Sequence, residues 1–132
     1  MRIEITRNRK FRMNITVKEP GSLTPLPMDP QNDTVAMHFK EKGPEGKLLL
    51  SKDMSPVQDP PGVFPDGEWF LILTEAETAL FPYKEGYAED GYMYKAPVRA
   101  QISIDSVVAS IAFADIRIDD VYISDIGLPE NI

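Results

Sequence analysis

The only histidine of the chain, His38, is the first place to look for chemistry. It lies in an alternating stretch between Met37 and Phe39 and on the opposite face from both, which is typical of a surface or packing residue on a strand. A hydrolase triad needs a nucleophile and an orienting acid beside the histidine, and a zinc site needs several ligands. The sequence contains no Gly-x-Ser-x-Gly, no His-Glu-x-x-His and no glycine-rich phosphate loop. We therefore expect no enzyme activity and no catalytic residue.

Carboxylates are the other candidates for chemistry, and they fall into two runs. One run lies near the C-terminal end and the other in a single turn: Asp115, Asp119, Asp120 and Asp125, and then Glu85, Glu89 and Asp90. A calcium site needs several oxygens that converge at about 2.3–2.6 Å, and neither run has the spacing of a known calcium loop. Nothing in the sequence selects a carboxylate pair for glycoside hydrolysis. We expect a solvated acidic surface that binds no metal and no cofactor.

Apolar side chains in loops are the strongest sign of function. Two proline-rich loops, residues 18–33 and 53–66, are expected to expose Leu23, Leu26, Met28, Val57, Val63 and Phe64. Proline restricts the free chain, so that less conformational entropy is lost when such a loop docks onto a partner. These loops predict a domain that works by contact.

Tyrosines gather around one later turn. We expect Tyr83 and Tyr87 to contribute to an interface, whereas Tyr92 and Tyr94 have the spacing of the inward face of a strand. An alternative is a carbohydrate-binding or receptor-binding module, in which Trp69 or these tyrosines stack on the ligand. Trp69 also suits the hydrophobic core.

Charge is divided unevenly along the chain, which carries a net charge of −7. Residues 1–18 hold six basic residues and one acid, a net charge of +5, and the remainder of the chain carries −12. This division predicts that Arg7, Arg9 and Arg12 face an acidic partner surface, including that of a neighbouring copy. The alternative is a solvated basic strand face. A nucleic-acid site is not expected, because the rest of the surface repels phosphate.

The length of 132 residues predicts a single domain spanning 1–132, in which 124–132 is a frayed tail. The chain has no cysteine and therefore no disulfide or thiolate chemistry. Its N-terminal segment lacks the apolar region of a signal peptide, and its apolar runs are far shorter than the roughly 20 residues that span a bilayer. We expect folding in the cytosol and no membrane partner.

Apolar and polar residues alternate with a period of two in several short stretches, as in half-buried strands. Thr74 and Glu77 form a Ser/Thr-x-x-Glu capping box, which predicts a short helix at about 75–80 with Ala76, Ala79 and Leu80 on one face. One strand is predicted from Tyr92 to Ile104. The alternation changes phase at Ala114-Asp115, which predicts a bulge or bend. About seven strands with one short helix predict an all-β, antiparallel, immunoglobulin-like β-sandwich.

The order of these elements resembles small immunoglobulin-like domains of tailed-phage virion proteins, especially the N-terminal domain of baseplate upper proteins. The resemblance covers about two thirds of the chain and rests on these segments: Phe11–Val17, Val35–Phe39, Lys47–Lys52, Leu73-Thr74-Glu75-Ala76-Glu77-Thr78-Ala79-Leu80 and Gly91-Tyr92-Met93-Tyr94. The long loops at 18–33 and 53–66 and the bend near Ala114 depart from the family pattern. These departures leave baseplate, neck, tail and capsid decoration all open as locations.

The resemblance implies a non-enzymatic structural subunit of a virion, assembled in the host cytoplasm. Its partners would be other virion proteins and copies of itself, in a homo-oligomer within the particle. Edge strands and proline-rich loops would form the contacts.

Overall fold

The computed structural model describes residues 2–19, 21–43, 46–83, 93–107 and 111–125, with the backbone alone at 93–94 and 111–115. The elements in chain order are β1 (Arg2–Thr6), β2 (Phe11–Thr16), β3 (Thr34–Glu41), β4 (Leu48–Asp53), β5 (Ser55–Pro56), β6 (Glu68–Leu73), α1 (Glu75–Thr78), β7 (Met93–Lys95), β8 (Val98–Ser106), β9 (Ile111–Ile118) and β10 (Asp120–Ser124).

The fold is an all-β sandwich with one short helix, as predicted. One sheet has the order β4-β3-β8-β9, and the other two have the orders β2-β6-β5 and β1-β10-β7. Every pairing is antiparallel except that of β1 with β10, which is parallel and places Ile3 beside Val121 and Ile5 beside Ile123. The described residues form ten strands rather than about seven.

The hydrophobic core is formed by the apolar residues that occupy every second position of the strands. In β3, Val35, Met37 and Phe39 are buried, while His38 lies on the outer face between them. Inward residues of β1, β2, β6, β8 and β10 belong to the same cluster, and Trp69 is among them, as expected. The ring of Phe81, just after α1, meets Phe39 edge-on with centroids 4.9 Å apart, a favoured aromatic geometry. The apolar faces of all three sheets therefore share one core.

Two features of the later strands can be compared directly with the sequence. The predicted strand from Tyr92 to Ile104 is wrong, because Pro97 divides it into β7 and β8, which belong to different sheets. Proline has no N–H to donate to a ladder. The bulge predicted at Ala114-Asp115 is confirmed: Ile102 pairs with Ile116 and Ile104 with Phe113, so β9 has one residue more than β8 across this interval.

The capping box at α1 is confirmed. The Glu77 N–H donates to the Thr74 hydroxyl at 3.2 Å, and the Thr74 N–H donates to the Glu77 carboxylate at 2.8 Å. Lys52 of β4 donates to the same carboxylate at 2.6 Å and is the main cause of a lowered Glu77 pKa. Because the folded pKa is lowered, the ion pair stabilises the fold above the ordinary pKa of glutamate. That contribution is lost as the pH falls through the folded pKa.

The apolar residues grouped on one face of the predicted helix do not form its buried side. Ala76 and Leu80 are exposed, and the fully buried residue of the helix is Thr78. Its hydroxyl accepts from the Arg9 N–H at 3.1 Å and donates to the Arg9 carbonyl at 2.8 Å. The helix therefore turns a hydroxyl inward, because the turn between β1 and β2 presents backbone groups that need partners.

Replacing Thr78 by valine keeps the shape of the side chain but removes both hydrogen bonds to Arg9. We expect Thr78→Val to lower the free energy of unfolding by about 1–3 kcal/mol, because it removes two hydrogen bonds that typically contribute about 0.5–1.5 kcal/mol each. Urea denaturation followed by circular dichroism measures it.

Thr16→Val is the matched control, because Thr16 is exposed on β2, and it should change the stability by less than about 0.5 kcal/mol. Equal effects of the two variants would show that the Thr78 contact with Arg9 contributes nothing specific.

Candidate docking surface

His38 lies on the outer face of the four-stranded sheet, between two serines. The Ser51 Oγ is 2.7 Å from Nδ1 and the Ser103 Oγ is 3.0 Å from Nε2. In either neutral tautomer, one ring nitrogen donates and the other accepts. A serine nucleophile would need its histidine oriented by a third group, but the two serines occupy both ring nitrogens. The sequence did not indicate these serines, because strand register alone brings them beside His38.

In the C-terminal acidic run, Asp119, Asp120 and Asp125 each face a cation, and the side chain of Asp115 lies outside the described residues. Asp119 accepts from Arg99 at 2.7 Å, and Lys95 lies 2.9 Å from Asp120. These contacts are the main reason that the pKa of each of the two aspartates is lowered. Among the described residues, no three His, Cys, Asp or Glu side chains converge as metal ligands would. Glu85, Glu89 and Asp90 lie outside the described residues.

The first proline-rich loop, 18–33, folds back on the sandwich. Leu26 is only 4% exposed, so the prediction that it is an exposed contact residue is wrong. Met28 is half-buried, and its sulfur accepts a hydrogen bond from the Trp69 indole at 3.3 Å. Trp69 is itself buried and does not provide a platform for stacking on a sugar. This loop covers the core.

The far end of the same loop is held by a buried aspartate. Asp33 accepts from the Ser106 hydroxyl at 2.7 Å, the Val107 N–H at 2.7 Å and the Asp29 N–H at 2.8 Å. Asp29 in turn accepts from Gln31 and Asn32, and the side chain of Asn32 is the main cause of its lowered pKa. The spacing of Asp29 and Asp33 around Asn32 is the local turn signal that sequence reasoning missed.

Gly67 joins the first loop to the second. It has a positive φ of 70°, and a Cβ on it would lie 2.3 Å from the Val17 carbonyl oxygen and 3.2 Å from the Leu26 backbone. The Val17 N–H donates to Gly67, and the Leu26 N–H donates to Val17, at 2.7 and 2.9 Å. Only glycine permits both this conformation and this approach.

The second loop is also held by hydrogen bonds. Asp59 and Val63 are linked by a backbone bond of 2.9 Å, and the Gln58 side chain accepts from Gly62 at 3.0 Å. Val63 is 51% exposed and Phe64 39%, while Leu23, near the turn of the first loop, is 85% exposed. These residues belong to two loops that meet at Gly67, where β2 ends and β6 begins. We name Leu23, Val63 and Phe64 the loop end.

The basic residues near the N-terminus have partners within the chain. The Arg7 guanidinium donates to the Ala79 carbonyl at 3.3 Å and lies 3.7 Å from Asp125. Arg12 lies over the Phe70 ring, 4.4 Å from its centroid, and Arg9 holds Thr78 through its backbone. Arg12 also lines a small pocket with Val57 and Gln58 of the second loop.

The predicted tyrosine interface is described only at Tyr83. This residue is half-buried and packs against the core cluster. Tyr87 and Tyr92 lie outside the described residues, as does the side chain of Tyr94. Tyr83 therefore contributes to packing in the described part of the chain.

Comparison with known proteins gives no family. No family model matches the chain, and no curated protein is significantly similar to it. The described part of the chain also has no helix that could cross a membrane. The loop end is the candidate site, because its residues are exposed and its loops are held by hydrogen bonds.

The close approach at Gly67 can be tested with a pair of glycine substitutions. Gly67→Ala adds backbone strain and a steric clash with Val17, whereas Gly62→Ala adds strain alone, since φ is +86° there and nothing lies within 4 Å of the new Cβ. We expect the Gly62 variant to lose about 1–2 kcal/mol of stability and the Gly67 variant clearly more. Urea denaturation of both variants provides the measurement.

Limited proteolysis should then cut the first loop faster in the Gly67 variant, because the loop is anchored there. Equal stability and equal cleavage of the two variants would contradict this role of Gly67.

Proposed function

We propose that this chain is a non-enzymatic structural subunit that works by docking its loop end onto a neighbouring protein, and that the assembly is a phage virion. The virion part of the proposal comes from the resemblance in element order. The docking part comes from the geometry of the loops. Its partners are other virion proteins and further copies of the chain.

The observation that carries the proposal is the combination of exposure and anchoring at the loop end. Leu23, Val63 and Phe64 are exposed on loops whose backbones are held by hydrogen bonds. The Leu26 N–H donates to Val17 in the first loop, and the Asp59 N–H donates to Val63 in the second. Burial of apolar surface stabilises a complex by about 25 cal/mol per Å² before the costs of association are subtracted. Anchored loops lower those costs, because little chain entropy remains to be lost.

Leu26 and Met28 attach the first loop to the sandwich and are not part of the proposed contact surface. Leu26 is in the core, and Met28 accepts the Trp69 N–H. The loop therefore divides its apolar residues: some fix it to the sandwich, and Leu23 remains outside. This division is what a preorganised contact surface requires.

The experiment is incorporation into particles. A triple variant, Leu23→Ser with Val63→Ser and Phe64→Ser, is compared with the unmodified chain and with Leu48→Ser. Leu48 is a suitable control because it is 51% exposed and lies on β4, outside both loops. Quantitative mass spectrometry of purified particles gives the copy number of each chain.

We expect the triple variant to be incorporated at least about tenfold less, which corresponds to a loss of about 1.4 kcal/mol of binding free energy summed over the three contacts. The control should match the unmodified chain, and circular dichroism should show that all of them fold. Normal incorporation of the triple variant would refute the loop end as the docking surface. Absence of the unmodified chain from any particle would refute the virion assignment.

A further inference from the structure

A second surface, separate from the loop end, lies on the open side of the sandwich. Here β2 and β9, the outer strands of two different sheets, face each other across a groove of about 510 Å³. The groove is lined by the aliphatic side chains of Ile15, Val17, Ile102, Ile104, Ile116 and Ile118. Ile116 is 43% exposed, so the core reaches the surface at this point.

Among the described residues, β2 and β9 each pair with one neighbouring strand only, so the groove lies between two strand edges. Val17 directs its N–H and C=O toward Gly67 and Leu26, on the β6 side of β2. Successive residues of a strand direct these groups to opposite sides, so Thr16 and Lys18 direct theirs away from β6. An edge strand of this kind is a template on which another extended chain can pair. The groove therefore suits an extended segment with apolar side chains at every second position.

The charges around the groove select among such segments. Lys18 and Arg117 line it together with Asp119 and Asp120. Each aspartate already has a cation, Arg99 or Lys95, and the Lys42 ammonium donates to the Asp119 carbonyl at 2.9 Å. Without Arg117, the described residues thus still place four cations, Lys18, Lys42, Lys95 and Arg99, around two carboxylates, in a chain whose net charge is −7. This side of the molecule is complementary to an acidic partner.

We propose that the groove between β2 and β9 binds an extended segment of a partner protein in which apolar and acidic side chains alternate. The apolar side chains pack on the isoleucine floor, and the acidic ones meet Lys18 and its neighbours. The backbone adds a strand to an edge of the sandwich. This contact does not involve the loop end, so either surface can fail its test while the other passes.

Fluorescence anisotropy of a labelled peptide tests the proposal with the full chain. The probe is an acetylated, amidated peptide of roughly eight residues, about the length of a strand, in which valine and glutamate alternate. The comparison peptide replaces each glutamate with lysine. We expect the acidic peptide to bind at least about tenfold more tightly at low salt, with affinity that falls as salt rises.

Ile116→Lys should weaken binding of the acidic peptide at least tenfold, because it replaces an apolar contact of the groove with a charged side chain. Ile72→Lys is the matched control, since Ile72 is also a half-exposed strand residue, 40% exposed, and does not line the groove. Lys18→Glu, at an exposed position, provides a second variant that changes charge alone, and it should also weaken binding. Urea midpoints check that the variants fold.

Three results would overturn the proposal. One is the absence of binding by either peptide, and another is equal binding of the acidic and basic peptides. The third is concentration-dependent self-association that Ile116→Lys abolishes, because the occupant would then be a second copy of this chain.

Discussion

The loop end depends on one close approach, that of Gly67 to the backbone of Val17 and Leu26. Gly67 is the point at which the second loop enters β6, and Val17 is the point at which β2 enters the first loop. Two backbone hydrogen bonds, of 2.7 and 2.9 Å, connect the three residues. A side chain at this position would separate the strands. Because the first loop begins and the second loop ends at this junction, backbone hydrogen bonds attach both loops to the same end of β2 and β6.

The opposite connection, between β1 and β2, is stabilised by the short helix. Thr78 bonds both backbone groups of Arg9, and Arg7 bonds the carbonyl of Ala79 at the end of the helix. Part of the basic charge near the N-terminus is thereby used inside the fold. The charge division along the sequence therefore says less about partners than it suggests. Among the described residues, Lys18, Lys42, Lys95 and Arg99 outnumber the carboxylates Asp119 and Asp120 beside the apolar groove.

Local signals in the sequence predicted local structure well. The capping box places α1, the alternation in β3 places His38 opposite Met37 and Phe39, and the change of phase at Ala114 marks the bulge. Each of these depends on neighbours within a few residues. The all-β class follows from the same short alternating segments.

Long-range contacts could not be predicted in the same way. Proline content identifies 18–33 as a loop, but it does not show that Leu26 enters the core or that Met28 meets Trp69. The buried face of a helix with four residues is decided by the backbone groups opposite it, so Thr78 is buried and Leu80 is exposed. The parallel pairing of β1 with β10 joins segments more than a hundred residues apart.

Hydrogen exchange of the chain, free and within its assembled particle, tests the central claim most directly. We expect assembly to slow exchange at the amides of residues 21–26 and 58–64, around the loop end. The amides of the strand that carries His38 should exchange as fast as in the free chain. New protection confined to the His38 face, with the loop amides unchanged, would contradict it.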